Sequence, residues 1–290
     1  MKKEGTDIRN GFVFMIDALG AKKWDVSDSE RFMKVVRLIA DVMGNLFSKH
    51  GIEYQKNRIV RYLPPVKPMI YADTVLLSWD IPEDEPHWII FFQTVEKVQH
   101  FLNSALSSGF MLRGACAYGE HVIISSPWGD SALGPAVAEA SAHGDYFDWM
   151  GVVCAPSCQS KLEEFISRSK QRGFDNIELA LENFLIRTSV KSSSHDESRD
   201  VWTVAWPLTF EKNVRKTFAQ DNQGSVLTDQ GITQLVTEFL TIGAKEGVPE
   251  GKLSNTVEYL RACLIKSRNG GHDQFYGDIV NAALADDEID

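Results

Sequence analysis

The chain predicts an α+β fold, a ferredoxin-like mixed or antiparallel sheet with helices on one face, followed by a C-terminal helical appendage. Three observations predict it. Short β-type runs and amphipathic helical runs follow one another in the order β-α-β-β-α-β-β-α-β as far as about residue 155, with a helix at 157–172 and a last strand at 201–206 after them. The pattern then turns wholly helical from about residue 208. Finally, hydrophobic content of 43% against 24% charged residues is enough to fill a packed core over 290 residues. These shifts divide the chain into a domain at 8–207 and an extension at 208–290.

The first strand is Phe12-Val13-Phe14-Met15-Ile16, which delivers Asp17 to a sheet edge ahead of a turn at Gly20. Ser27-Asp28-Ser29-Glu30 has capping-box form, and Phe32, Val35, Val36, Ile39, Val42, Met43 and Leu46 recur at helical spacing until Gly51. Residues 54–80 carry strand signals interrupted by Pro64, Pro65 and Pro68. Within them Asp73 stands in the apolar run Met69–Leu77, where strand turns or passes into strand. A second helix follows over about 87–107, with Ile90, Phe91, Val95, Val98, Leu102 and Leu106 inward.

Residues 111–118 and 121–124 read as two strands meeting around Gly119-Glu120. Ser125–Asp130 reads as a loop, and Pro135 suits the first position of a small-residue helix. Residues 151–155 are the next strand and 157–172 the next helix. Lys191–Asp200 reads as a polar surface loop, Val201–Trp206 as a last strand, and the apolar spacing of Ile232–Leu240 and Val257–Leu264 as helices.

Charge and composition narrow the function. A net charge of −10 argues against a long nucleic-acid partner, although a metal can supply local positive charge for a nucleotide. Cys154 and Cys158 have no matching second pair, so zinc is not expected, and Cys116, Cys154, Cys158 and Cys263 read as buried thiols. No signal or membrane-spanning stretch is recognised, and a cytoplasmic protein is expected.

Asp17 and Asp73 are the chemically informative pair. A carboxylate on an apolar strand costs several kcal/mol unless it is paired or metal-bound, so two of them suggest a divalent-metal site that handles phosphates. The plainer alternatives are that Asp17 caps a turn and that Asp73 marks a hairpin. Arg113 can bind phosphate or a base carbonyl, or pair structurally with an acid such as Glu120. Tyr71 either lines a base pocket on the Asp73 face or is a core tyrosine.

Four segments in order, across about residues 10–160, resemble the class III nucleotidyl cyclase catalytic domain. They are Phe14-Met15-Ile16-Asp17-Ala18-Leu19-Gly20, with one residue more than the family places between Phe and Asp, the Ala72-Asp73 step, Arg113-Gly114-Ala115-Cys116-Ala117-Tyr118-Gly119-Glu120, and Gly134–Ala142. The resemblance implies two divalent ions, Mn²⁺ or Mg²⁺, held by Asp17, Asp73 and the Ala18 carbonyl. It also implies nucleotide contacts at Phe14, Ala18, Leu19, Gly20, Tyr71 and Arg113, with backbone N–H groups around Leu19, Gly20 and Ala21 meeting the phosphates.

Ala138 and Ala142 stand where that family has its transition-state asparagine and arginine, and Met69 where it has a base-selecting lysine. Lys22, Lys23, Arg58 and Arg61 are the alternative cations. The Arg-Gly-Ala strand, the Gly-Pro-Ala-Val step and Trp149-Met150-Gly151-Val152 look like the pyrimidine cyclases of bacterial anti-phage (Pycsar) systems. That likeness implies a homodimer with sites at the interface, making cyclic UMP or cyclic CMP for a separate effector, with no DNA partner. Two other readings stay open: a catalytically silent cyclase-fold module that binds nucleotide or protein, and another palm-like phosphoryl transferase.

Overall fold

In the computed structural model, the described residues are 5–19, 30, 33–34, 36–41, 67–71, 73–78, 87–126, 129–147, 149–191, 198–207, 229–245, 248, 250–269, 279 and 281–282. Eight strands form one open sheet: β1 (Gly5–Ala18), β2 (Lys67–Tyr71), β3 (Thr74–Ser78), β4 (Leu112–Ser126), β5 (Gly129–Leu133), β6 (Gly151–Cys154), β7 (Leu185–Lys191) and β8 (Ser198–Val204). Their order is β2-β3-β1-β4-β6-β8-β7, with β5 paired to β4 beside that path. All pairings are antiparallel except β4 with β6, so the sheet is mixed, as expected.

Among the described residues, six helices with defined bounds accompany it: α1 (His87–Ser107), α2 (Pro135–Tyr146), α3 (Pro156–Gln171), α4 (Ile177–Leu181), α5 (Asp229–Lys245) and α6 (Glu250–Asn269). The helical residues at 30, 33–34 and 36–41 lie in the stretch anticipated as the first helix, and Ile39 there is buried. The alternation of β1 sorts its side chains between two layers. Phe12 and Phe14 face α1, where Phe91 lies 4.3 and 6.2 Å from them between ring centroids. Trp88 of α1 continues the layer to Phe165 of α3 at 4.5 Å. On the opposite face Val13 packs with Ala117, Ala136 and Ala140, so α2 covers that side. The helical layer of α1 and α3 is therefore complemented by one small-residue helix across the sheet.

The main core runs on into α5 and α6, through Phe239, Tyr259, Leu260, Cys263 and Leu264. Tyr259 of α6 donates to the Val204 carbonyl at 2.8 Å, and Thr256 accepts from the Met150 N–H at 2.8 Å. All four cysteines are buried free thiols, and burial pushes Cys116 up to about 11.

The predicted helix at 87–107 and the strand at 151–155 appear within one residue of expectation. Three expectations change. β4 is one continuous strand through Gly119-Glu120, because β1 pairs with it along its length and sets Gly11 opposite Gly119. The anticipated loop Ser125–Asp130 runs into β5, which begins at Gly129 and is a strand of weak intrinsic propensity (Gly-Asp-Ser-Ala-Leu) held by its ladder to β4. β7 was not anticipated, and it forms a hairpin with β8, whose first residues 198–200 were expected in a loop. Residues 192–197 of that expected loop lie outside the described residues. No described helix is long and apolar enough to cross a membrane.

Candidate active site

The end of β1 sits between β3 and β4, and the register sets Asp17 opposite Thr74 on one side and Arg113 on the other. Asp17 shares its face with Val13, so it points to the α2 side of the sheet. β2 and β3 close on the pair Tyr71–Thr74, and Asp73 lies in the turn just before Thr74. Asp73 thus occupies a hairpin turn, one of the two readings the sequence allowed, and its backbone carbonyl accepts the Ala18 N–H at 3.2 Å. That bond places the turn against the end of β1.

Two carboxylates converge on Arg113. Its Nε lies 3.3 Å from Oδ1 of Asp17, an ion-pair contact, and its Nη2 lies 3.5 Å from Oδ2. The same Nη2 hydrogen-bonds Asp145. Arg113 therefore pairs with Asp17 and Asp145 and not with Glu120, which faces Asn10 on the neighbouring strand. Burial is the largest influence on Asp17 and lifts its pKa to about 6. The Arg113 charge and hydrogen bond oppose this rise, and the charges of Asp145 and Asp73 add to it. Asp73 is thus near enough to be felt electrostatically, and among the described residues the Arg113 charge does not offset the burial of Asp17.

Asp145 reaches the site because α2 lies unusually close to the sheet. A Cβ on Gly144 would stand 3.3 Å from the Gly114 Cα, and a Cβ on Gly114 would stand 2.1 Å from the Met15 carbonyl oxygen. Gly114 has no room for a side chain because of the β1 backbone, and Gly144 stands in tight contact with β4. Glu139 fixes the same helix from its middle, accepting from the Ser157 N–H at 3.1 Å and from the Ser157 hydroxyl. That hydroxyl in turn accepts the Tyr118 N–H at 2.9 Å. His143, expected as a helix-end residue, lies within α2 with Nδ1 3.0 Å from the Glu139 carbonyl.

The other expected residues divide. Phe14 is buried on the α1 face, opposite Asp17, because it stands an odd number of residues away along β1; it belongs to the core and not to a nucleotide pocket. Ala18 and Leu19 are buried beside Asp17, but their N–H groups are engaged, Ala18 by Asp73 and Leu19 by the Met111 carbonyl at 2.8 Å. Those two N–H groups are not directed at phosphates. Tyr71 is 36% exposed, so it is no core tyrosine, and its hydroxyl donates to the Asp130 carbonyl of β5 at 2.8 Å. Gly20, Ala21, Lys22, Lys23, Arg58 and Arg61 lie outside the described residues. The residue that sequence reasoning missed is Asp145; the one local sign was an acidic side chain at the end of a small-residue helix.

Comparison with known proteins finds no matching family model and no matching curated relative. Solved structures do resemble the chain. The guanylyl cyclase Cya2 is 13% identical, with a TM-score of 0.41, covering 69% of this chain and 94% of that one. The monomeric guanylyl cyclase domain of a rhodopsin-guanylyl cyclase fusion protein from the aquatic fungus Blastocladiella emersonii is 10% identical, with a TM-score of 0.39, covering 70% and 98%. The adenylyl cyclase CyaB from P. aeruginosa is 8% identical, with a TM-score of 0.37, covering 69% and 95%. At such distances the function has to be argued from the residues of this chain.

Proposed function

We propose that this protein is a nucleotide cyclase that converts UTP or CTP to its 3′,5′-cyclic monophosphate and pyrophosphate. The observation that carries the reading is the setting of Asp17. It is a mostly buried carboxylate beside the Asp73 turn, and Arg113 does not supply enough positive charge to hold it at an ordinary carboxylate pKa. Such a site gains from a hard divalent cation with oxygen ligands, and the donor set fits one. Among the described residues no three acidic, histidine or cysteine side chains form a ready-made cage. Magnesium-like ions are commonly held by one or two carboxylates completed by substrate phosphates, which is the donor set that Asp17, Asp73 and a triphosphate provide.

Asp17, Asp73 and the Ala18 carbonyl would hold Mn²⁺ or Mg²⁺. Bound divalent ions supply Lewis acidity, which lowers the pKa of the ribose 3′-hydroxyl and neutralises the leaving pyrophosphate. Asp17 is anchored by the β1 ladder and Asp73 by its bond to Ala18, so the two carboxylates meet the triphosphate from fixed backbone. Arg113 stands beside them as a cation for phosphate. Ala138 and Ala142 give α2 no polar group at the positions where the resembled family stabilises its transition state. Met69 is buried in the second core cluster, where its sulfur accepts from the Tyr71 hydroxyl at 3.7 Å, and it carries no charge to offer a base. These departures speak against an ordinary adenylate cyclase, and the pyrimidine substrate rests on the likeness of the Arg-Gly-Ala, Gly-Pro-Ala-Val and Trp-Met-Gly-Val segments. In this reading two copies form the active homodimer, and the product is an anti-phage alarm signal for a separate effector.

The silent-module reading has one observation in its favour, because Arg113 already partly neutralises Asp17 and Asp145. Incubating the purified chain with each of the four ribonucleoside triphosphates and Mn²⁺, with products resolved by mass, separates the two. A cyclic pyrimidine monophosphate that disappears in both Asp17→Ala and Asp73→Ala is the expected result. Nucleotide binding without product from any of the four would establish the silent module.

A further inference from the structure

Arg113 is unevenly shared. Its Nη2 hydrogen-bonds Asp145, whereas its contacts to Asp17 stand at 3.3 and 3.5 Å. Charge-assisted N–H···O bonds settle at about 2.7–2.9 Å, so the guanidinium is drawn toward Asp145 and held only loosely by Asp17. The Arg113 side chain is 10% exposed, which leaves it little room to swing elsewhere. Asp145 itself occupies the last turn of α2, the end of a helix where the macrodipole disfavours an anion. Its place is nonetheless enforced, since the Gly144–Gly114 approach brings that turn onto β4 beside Arg113. A locally disfavoured charge, brought to one buried cation by the close contact of Gly144 with β4, marks a device and not a surface accident.

We propose that Asp145 is a positioning residue. By holding Nη2 of Arg113, it keeps the guanidinium from closing to charge-assisted distance on the two Asp17 oxygens, which stand at 3.3 and 3.5 Å, and so leaves the Asp17 carboxylate available to the divalent cation and its substrate. The inference about the cation rests on the reading of Asp17 given under Proposed function; the inference about Arg113 does not. A carboxylate elsewhere on the α2 face would not serve, because the fork geometry of a guanidinium rewards the acid that meets its Nη edge.

The test uses the full chain, first without metal. Arginine side-chain Nε–Hε resonances are recorded by NMR, and the Arg113 signal is identified by its loss in Arg113→Lys. Asp145→Asn is expected to move that signal as the guanidinium closes on Asp17, and Asp145→Glu to keep it near its original position. An unmoved signal in a variant that melts like the parent overturns the proposal. Mn²⁺ affinity is then measured by direct binding. Asp145→Asn is expected to weaken it about fivefold or more in the parent but less than about twofold in an Arg113→Met background, a coupling typical of contacting residues. Equal weakening in both backgrounds means that Asp145 acts on the cation directly, which also overturns the proposal. If the parent binds no Mn²⁺ while the Arg113 signal still moves in Asp145→Asn, the metal reading fails and the positioning of Arg113 stands.

Discussion

Replacing Asp17 by Asn should make the metal-free protein more stable while abolishing turnover. The folded-state pKa of Asp17 is lifted from 3.8 to about 6, so the folded chain binds the proton more tightly than the unfolded chain does. A carboxyl shifted upward contributes its full stabilisation below pH 3.8 and loses it as pH rises to about 6, leaving the charged form at a disadvantage above that. At about 1.4 kcal/mol per pKa unit the disadvantage is about 3 kcal/mol. Since the side chain is 26% exposed, solvent screening brings the expected gain down to about 1–3 kcal/mol. Asn mimics the protonated acid, so the gain appears only where wild type is ionised. Thermal melts from pH 4 to pH 8 without divalent ions should show the two proteins together at pH 4 and the variant ahead at pH 8, at about 2–4 °C per kcal/mol. Added Mn²⁺ should then stabilise wild type and leave Asp17→Asn unchanged, because only a folded state that binds the ion is favoured by it. Wild type melting above Asp17→Asn at pH 8, or a gap that does not change with pH, would refute the claim that burial outweighs Arg113.

Further outcomes are expected from packing. Gly114→Ala should destabilise by about 3 kcal/mol or more, since the new methyl meets the Met15 backbone at 2.1 Å and backbone cannot give way as a side chain can; denaturant melts check it. Gly144→Ala, whose methyl would meet Gly114 at 3.3 Å, should cost less and should shift the Arg113 side-chain resonance by lifting the last turn of α2. Gln99→Leu should cost about 1–3 kcal/mol in urea melts, because its amide donates to the carbonyls of Asn183, Phe184 and Ala205, and leucine would leave these buried acceptors without it. Tyr259→Phe removes the hydroxyl that bonds Val204 and Thr203 and should cost about 1–2 kcal/mol; a chain ending at residue 207, which exposes Trp149 and Trp206, should show a far larger loss of cooperative melting.

Much of the fold was legible because periodicity reports burial, and burial is what the sheet and its helices share. α1 could be placed within a residue because it presents Ile90, Phe91, Val95, Val98, Leu102 and Leu106 to a continuous core. What escaped was structure held by partners and not by propensity. β5 has a strand's conformation because β4 offers it a ladder from Val122 to Ser126, and nothing in Gly-Asp-Ser-Ala-Leu announces that. The apparent break at Gly119 was local chemistry read without its partner, since Gly11 across the ladder lets β1 and β4 continue together.

The site shows the same division more sharply. Asp17 stands out in sequence because it ends an apolar run, and Asp73 because it interrupts one. Face assignment then removes Phe14, since alternation along β1 sends it to α1 while sending Asp17 to α2; that correction was available from the period of two alone. Asp145 was not available in this way. Its role depends on α2 lying against β4 where Gly144 meets the Gly114 backbone, thirty residues away in the chain and with no shared motif between them. A composition count sees Ala142-His143-Gly144-Asp145 as a fraying helix end. Once Gly144 is set against Gly114, the next residue has to fall beside Arg113, and the acid there becomes the third charge of the site. The closeness of helix and sheet, more than any one acidic residue, decides how Arg113 divides itself between Asp17 and Asp145.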